Sequence, residues 1–217
     1  MKRIAPKLAV LAAVAVLLWF FPLVRVTRPG DEPAIDPDAF DPVGYVDAYW
    51  TERLPKSHTS AAPAAEVIKA LSADAKAAGE RFGRTVGMSR GFFFYLRGEG
   101  TVVSADGRKV GVALGEGGET ADLVLTLGPV FGNAVRDAPG LIGVNDFEDS
   151  VAYNDLSAEL NRRVESEVQP LLGDALEPGA RINFVGCAEL SSPRAYRAPL
   201  KVTPIAVVLS PAEGAQQ

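Results

Sequence analysis

The side chains best suited to chemistry in this sequence gather in one twenty-residue stretch, GPVFGNAVRDAPGLIGVNDF, at residues 128–147. It holds Asn133, Arg136, Asp137, Asn145 and Asp146. Arginine offers a planar fork of donors, and carboxylates and carboxamides accept or donate in fixed directions. Arg136, Asp137, Asn145 and Asp146 could therefore clamp a polyhydroxylated ligand, or the polar surface of a partner, through paired hydrogen bonds. The same residue types also brace the backbone of a compact loop, so a structural reading stands beside the binding one. A third reading pairs Asp137 with Asp146 as acid and base of a hydrolase.

Other chemistry is sparse. His58 is the one histidine, set in a polar gap between two helical stretches where solvation is expected. Cys187 is the one cysteine, so neither a disulfide framework nor a cysteine-cluster metal site is available. It sits inside an apolar run and reads as a small buried residue. No Ser/His or Cys/His pair is evident for nucleophilic catalysis. Asp36, Asp38 and Asp41 lack the glycine and closing glutamate of a calcium loop, and proline interrupts them. The GEGGE run at residues 115–119 lacks the Lys-Ser/Thr of a phosphate-cradling loop. The expectation is no cofactor, no metal and no catalytic residue.

The elements that must position the loop are legible on both sides of it. Residues 91–104 alternate, with Phe92, Phe94, Leu96, Gly98, Gly100 and Val102 on one face and Phe93, Tyr95, Arg97 and Glu99 on the other. Two glycines on the inward face permit a sharp bend in a long strand. Asp106-Gly107 is a hairpin turn, and residues 109–114 and 121–127 are the next two strands. Residues 181–190 and 200–209 give two more, with Pro204 marking an edge or bulge. Between strands three and four, Leu156, Leu160, Val164, Val168 and Leu172 recur every four residues, the stripe of an amphipathic helix over residues 153–172. The stripe is expected to plug one end of a barrel. Three strands, a helix and two strands is the order of an OB-like five-stranded barrel. The class is mainly β with α (α+β), and a small α+β sandwich is the alternative.

Upstream, Asp41-Pro42 reads as an N-cap and first helical residue. Two helices, to about residue 54 and over residues 64–78 with Gly79 as a cap, form a helical arm across residues 41–90. Residues 28–40 carry three prolines and four acids and read as an extended linker. Residues 8–24 are an unbroken apolar run flanked by Lys2, Arg3, Lys7, Arg25 and Arg28. The expectation is an uncleaved signal anchor, a transmembrane helix within residues 1–27, with the body outside; a cleaved signal peptide and a soluble core helix are the alternatives. Those five cations aside, 17 basic face 27 acidic residues, so residues 29–217 carry a formal −10. Such a body repels polyanions, and no nucleic acid is expected as a partner. The OB-like domain spans residues 91–210, and 211–217 are a tail.

The segment IGVNDFEDSVAYNDLSAELN resembles the asparagine–aspartate–phenylalanine segment of the domain-of-unknown-function family numbered 2291, described as predicted periplasmic lipoproteins. ADLVLTLGPVFGNAVRDA is similar to that family's strand, Gly-Pro and Arg-Asp segment, and YVDAYWTERLP and LKVTPIAVVL resemble its helical start and closing strand. The resemblance covers most of residues 40–210. It implies an OB-like fold on the outer face of the inner membrane and genes beside sugar-uptake transporters of the ATP-binding-cassette type. The expected function is non-enzymatic: an accessory or binding module whose partner is a transporter subunit or solute-binding protein. A nucleic-acid-binding OB domain and a hydrolase using loop carboxylates are the alternatives. The sequence departs from the family label in having no lipobox cysteine after the apolar run, and an anchor helix is expected in its place.

Overall fold

The computed structural model describes residues 40–87, 89–115, 117–147, 149–173 and 176–210. The apolar run at residues 8–24 and the proposed linker up to residue 39 lie outside them. Among the described residues no helix is long and apolar enough to cross a membrane.

Five strands form the frame: β1 (Phe92–Ala105), β2 (Lys109–Ala113), β3 (Leu123–Thr126), β4 (Arg181–Leu190) and β5 (Leu200–Ser210). Strand β1 pairs antiparallel with β4 from Phe92↔Leu190 to Thr101↔Arg181, and its C-terminal end turns to pair with β2. Strand β2 pairs with β3, β3 runs parallel to β5, and β5 returns antiparallel to β4. The order β1-β2-β3-β5-β4 closes on β1, which is the expected five-stranded barrel.

The glycines of β1 mark its bend. A Cβ on Gly100 would stand 2.3 Å from the Ala113 carbonyl oxygen, and one on Gly98 2.8 Å from the Phe184 ring. Pro204 falls at a bulge, as expected: Val185 pairs with Ala206 and Gly186 with Pro204, leaving Ile205 over. Inside the barrel, Phe94, Leu96, Val102, Val110, Val112, Leu123, Leu125, Ile182 and Val202 are buried together.

The helical segment upstream, the helical arm of residues 41–90, packs against the barrel. Helix α1 (Pro42–Ala48) is capped by Asp41, which accepts from the Val43 and Gly44 amides, and runs through a π turn (Tyr49–Arg53) into α2 (Leu54–Ser57). Helices α3 (Ala64–Ala73) and α4 (Ala75–Phe82) follow. Asp74 breaks them apart because its carboxylate accepts from the Lys76 and Ala77 amides and so starts a new helix. Ala64, Val67, Leu71 and Ala78 join the barrel core, so α3 and α4 supply the packing expected of the later helix. Gly79 is not a cap. The helix continues through it, and the position takes glycine because a Cβ there would overlap the Phe92 ring.

The later helix, α6 (Ser150–Arg163), extends through a π turn (Val164–Val168) and a 3-10 turn (Gln169–Leu172). Its stripe does not plug the barrel. Leu156, Leu160, Val164 and Val168 instead form a second core with Val46 and Tyr49 of the α1 segment, against Phe93, Tyr95, Cys187 and Ile205 on the barrel wall. Of the stripe, only Leu172 joins the barrel core. Phe93 and Tyr95, expected on an outward face, are 7% exposed because this helical layer covers them. Arg163 locks the layer by pairing with Asp47 of α1 as well as with Glu159 and Glu167.

Candidate functional site

The chain leaves β3 at Thr126 and crosses residues 128–147 before α6. Two glycines at its start, Gly128 and Gly132, hold φ of +95° and +82°, conformations that side-chain-bearing residues avoid. Between them the backbone is stapled to the helix. Gln169 accepts from the Gly128 amide at 2.7 Å and donates back to the Gly128 carbonyl at 2.8 Å. Glu165 accepts from the Val130 amide at 2.6 Å, and Asn161 donates to the Gly132 carbonyl at 3.0 Å. Asn161, Glu165 and Gln169 recur every four residues, so one edge of the helix presents all three. That polar period lies in the sequence beside the apolar stripe and is the signal that sequence reasoning missed.

The stapled turn carries Phe131 at its tip, 85% exposed. Beneath it a cleft of about 360 Å³ lies between residues 130–133 and the helix, lined by Asn133, Ser157, Asn161, Arg162 and Glu165. Ser157 is 6% exposed and its hydroxyl has no hydrogen-bond partner among the described residues.

The four side chains singled out from the sequence divide into two pairs and form no common clamp. Arg136 and Asp137 are each 3% exposed. They lie on a short helix, α5 (Ala134–Asp137), that packs inward. Arg136 donates to both carboxylate oxygens of Asp137, at 2.7 and 3.1 Å, and its remaining nitrogen donates to the Tyr153 carbonyl at 2.8 Å. The Tyr153 hydroxyl donates to Asp137 at 3.1 Å, and the guanidinium carbon stands 3.4 Å from the centre of the Tyr153 ring. Burial, with the Asp137 charge beside it, pushes the Tyr153 phenol up. These groups satisfy one another and fasten the root of the loop to α6.

Asn145 and Asp146 are exposed. Asp146 accepts from the Gly143 amide at 2.8 Å, closing a 3-10 turn (Val144–Asp146), while Asn145 makes no side-chain hydrogen bond among the described residues. Further bracing comes from Arg53, which donates to the Leu141 carbonyl at 2.8 Å, and from Phe147, whose ring meets those of Phe40, Tyr45 and Tyr153.

His58 is half-buried and not simply solvated; its Nε2 has no partner among the described residues, and burial lowers its pKa below the usual imidazole value. Cys187 is fully buried mid-strand, as expected of a small core residue, and burial raises its thiol pKa.

A family model described as "Predicted periplasmic lipoprotein (DUF2291)" matches residues 14–208. The chain belongs to this family. The match spans the barrel, the helices and the stapled loop together, so all are parts of one family domain. A solved structure, an OB-fold protein from Thermotoga maritima, is 24% identical and covers 79% of this chain and 99% of its own, with a TM-score of 0.70. That likeness speaks for the fold alone, and it agrees with the closed strand order. No curated protein matches the chain.

Proposed function

We propose that this family member is a non-enzymatic binding module, held by residues 8–24 at the outer face of the cytoplasmic membrane, and that the turn at residues 128–133 is its contact surface. One observation carries this reading: Phe131 stands 85% exposed on a backbone fastened at Gly128, Val130 and Gly132. A phenyl ring left in water forgoes about 1.5–3 kcal/mol of burial. A partner recovers that energy with little ordering cost, because the turn is already rigid. Aromatic side chains, phenylalanine among them, are enriched at protein interfaces. The adjoining cleft, with Asn133, Asn161 and the unpartnered Ser157 hydroxyl, would take polar groups beside the ring.

The partner is a transporter subunit or solute-binding protein of an ATP-binding-cassette uptake system, and carbohydrate is its cargo. This last step rests on the resemblance and the gene neighbourhood it implies. The rivals have less support. Asp137 is consumed by Arg136 and Tyr153 and is not poised as a catalytic acid. Phe93 and Tyr95 lie under helices and offer no stacking platform to single-stranded nucleic acid.

The test is affinity capture of the tagged full chain from cross-linked membranes, beside Phe131→Ala. The expected result is a transport-system protein captured by the parent and lost in the variant, with both melting alike. Equal capture by both, or capture of neither a transporter subunit nor a solute-binding protein, overturns the proposal.

A further inference from the structure

A cleft of about 380 Å³ opens on the outer face of β2, β3 and β5, and shares no lining residue with the cleft at the stapled turn. Lys109, Arg197 and Lys201 line it, together with Glu189 and an apolar wall that includes Val124, Leu190 and Pro199. The strand register explains why these cations meet. Lys109 pairs with Thr126, and Val124 pairs with Lys201. Paired residues project to the same side of a sheet, as do residues two apart. The alternate set, Val110, Val112, Leu123, Leu125 and Val202, is fully buried inside the barrel. Lys109, Val124 and Lys201 therefore share the outer face, the two lysines on strands that flank β3 and offset by two residues along it, so ~12 Å apart backbone to backbone. The segment after the 3-10 turn Pro193–Ala195 brings Arg197 to the same cleft.

The charges in this cleft are not paired off. Among the described residues Arg197 donates only to the carbonyl oxygens of Arg194 and Tyr196, at 2.8 and 2.6 Å. Lys109, Lys201 and Glu189 enter no ion pair and no side-chain hydrogen bond among the described residues. Residues 29–217 carry a formal −10, so acids to neutralise three cations were abundant in the sequence. The fold instead gathers the three, all exposed, around an opening of ligand size, where an anion can meet them together. Three cations against one carboxylate leave two positive charges.

We propose that this cleft binds a small organic dianion, a phosphate monoester whose substituent lies on the Val124–Leu190–Pro199 wall. The oxygens of the dianion accept from the Arg197 fork and the two ammonium groups. The chemistry is shared by a soluble phosphate monoester and by the headgroup of a phosphatidate, and the experiment separates these sources.

The full chain in detergent is titrated calorimetrically at low salt with phenyl phosphate, and separately with water-soluble dihexanoyl phosphatidate. Parent protein is set beside Arg197→Gln, Lys201→Gln and the distant control Lys76→Gln. Saturable binding is expected, weakened about tenfold or more by each cleft variant, the loss of one charge-assisted contact. The control is unchanged, and added salt weakens binding. Tighter binding of the phosphatidate assigns the cleft to a lipid headgroup, and tighter binding of phenyl phosphate to a soluble ester; either supports the site. No binding of either probe, or equal losses in the control and the cleft variants, overturns it. So does a short single-stranded oligonucleotide that binds more tightly than both probes through the same residues.

Discussion

Replacing Arg136 by alanine tests whether the root of the loop is held by a buried ion pair. The side chain is 3% exposed and makes three hydrogen bonds, two to Asp137 and one to the Tyr153 carbonyl. Its loss strands the Asp137 carboxylate, also 3% exposed, with the Tyr153 hydroxyl as its remaining donor. Removing one partner of such a pair costs roughly 3–5 kcal/mol, because the other charge stays buried without compensation. For a domain of this size each kcal/mol lowers the melting temperature by about 2–4 °C, so R136A is expected to melt roughly 6–20 °C below the parent. Circular dichroism during heating reads this directly. Urea unfolding of R136A, Asp137→Asn and the double variant completes a cycle, in which the double variant loses less than the two single losses combined. Phe131→Ala, at the tip of the same loop, leaves the melting temperature unchanged under the same reasoning. An R136A protein melting within about 2 °C of the parent, or strict additivity in the cycle, would show that the pair does not brace the loop.

Two further outcomes follow from the helical layer. Leu160 is fully buried between α1 and the barrel wall, so Leu160→Asp should destabilise by several kcal/mol in urea titration; a parent-like midpoint would mean that the stripe is solvent-facing. The Tyr95 hydroxyl, 2.9 Å from the Ser57 hydroxyl, has its pKa pushed by burial from 10.0 up to about 12. The folded chain then keeps a proton that the unfolded chain releases above pH 10, so stability is intact below that pH and falls as pH rises toward about 12. Across that window Tyr95→Phe should gain on the parent by up to about 3 kcal/mol, and a constant gap between the two would contradict the burial.

The barrel was legible because its signals are local. Period-two alternation in β1, β2 and β3, the Asp106-Gly107 turn and the proline at the β5 bulge each depend on neighbours within a few residues. The helix between the third and fourth strands was equally legible from its four-residue stripe, but its destination was not. A stripe reports that a face is buried, not against what. The tertiary structure placed it on the barrel's outer wall, over Phe93 and Tyr95, and gave the barrel interior to α3 and α4 instead.

The loop shows the same division in the chemistry. Its length, its glycines and its polar residues marked it in the sequence as the least ordinary segment. Which of those residues face a partner was decided by contacts across long stretches of chain. Arg136 turned inward because Tyr153, 17 residues on, offered a carbonyl and a ring. Phe131 was left outside because Asn161 and Gln169, 29 and 41 residues from their partners, hold the backbone on either side of it. The charged cleft is a product of closure itself: Lys109 and Lys201 share a face only once β3 pairs with β2 on one side and β5 on the other. Residue types and local periods fix elements, whereas the pairing of distant elements decides which side chains meet and which are left for a ligand.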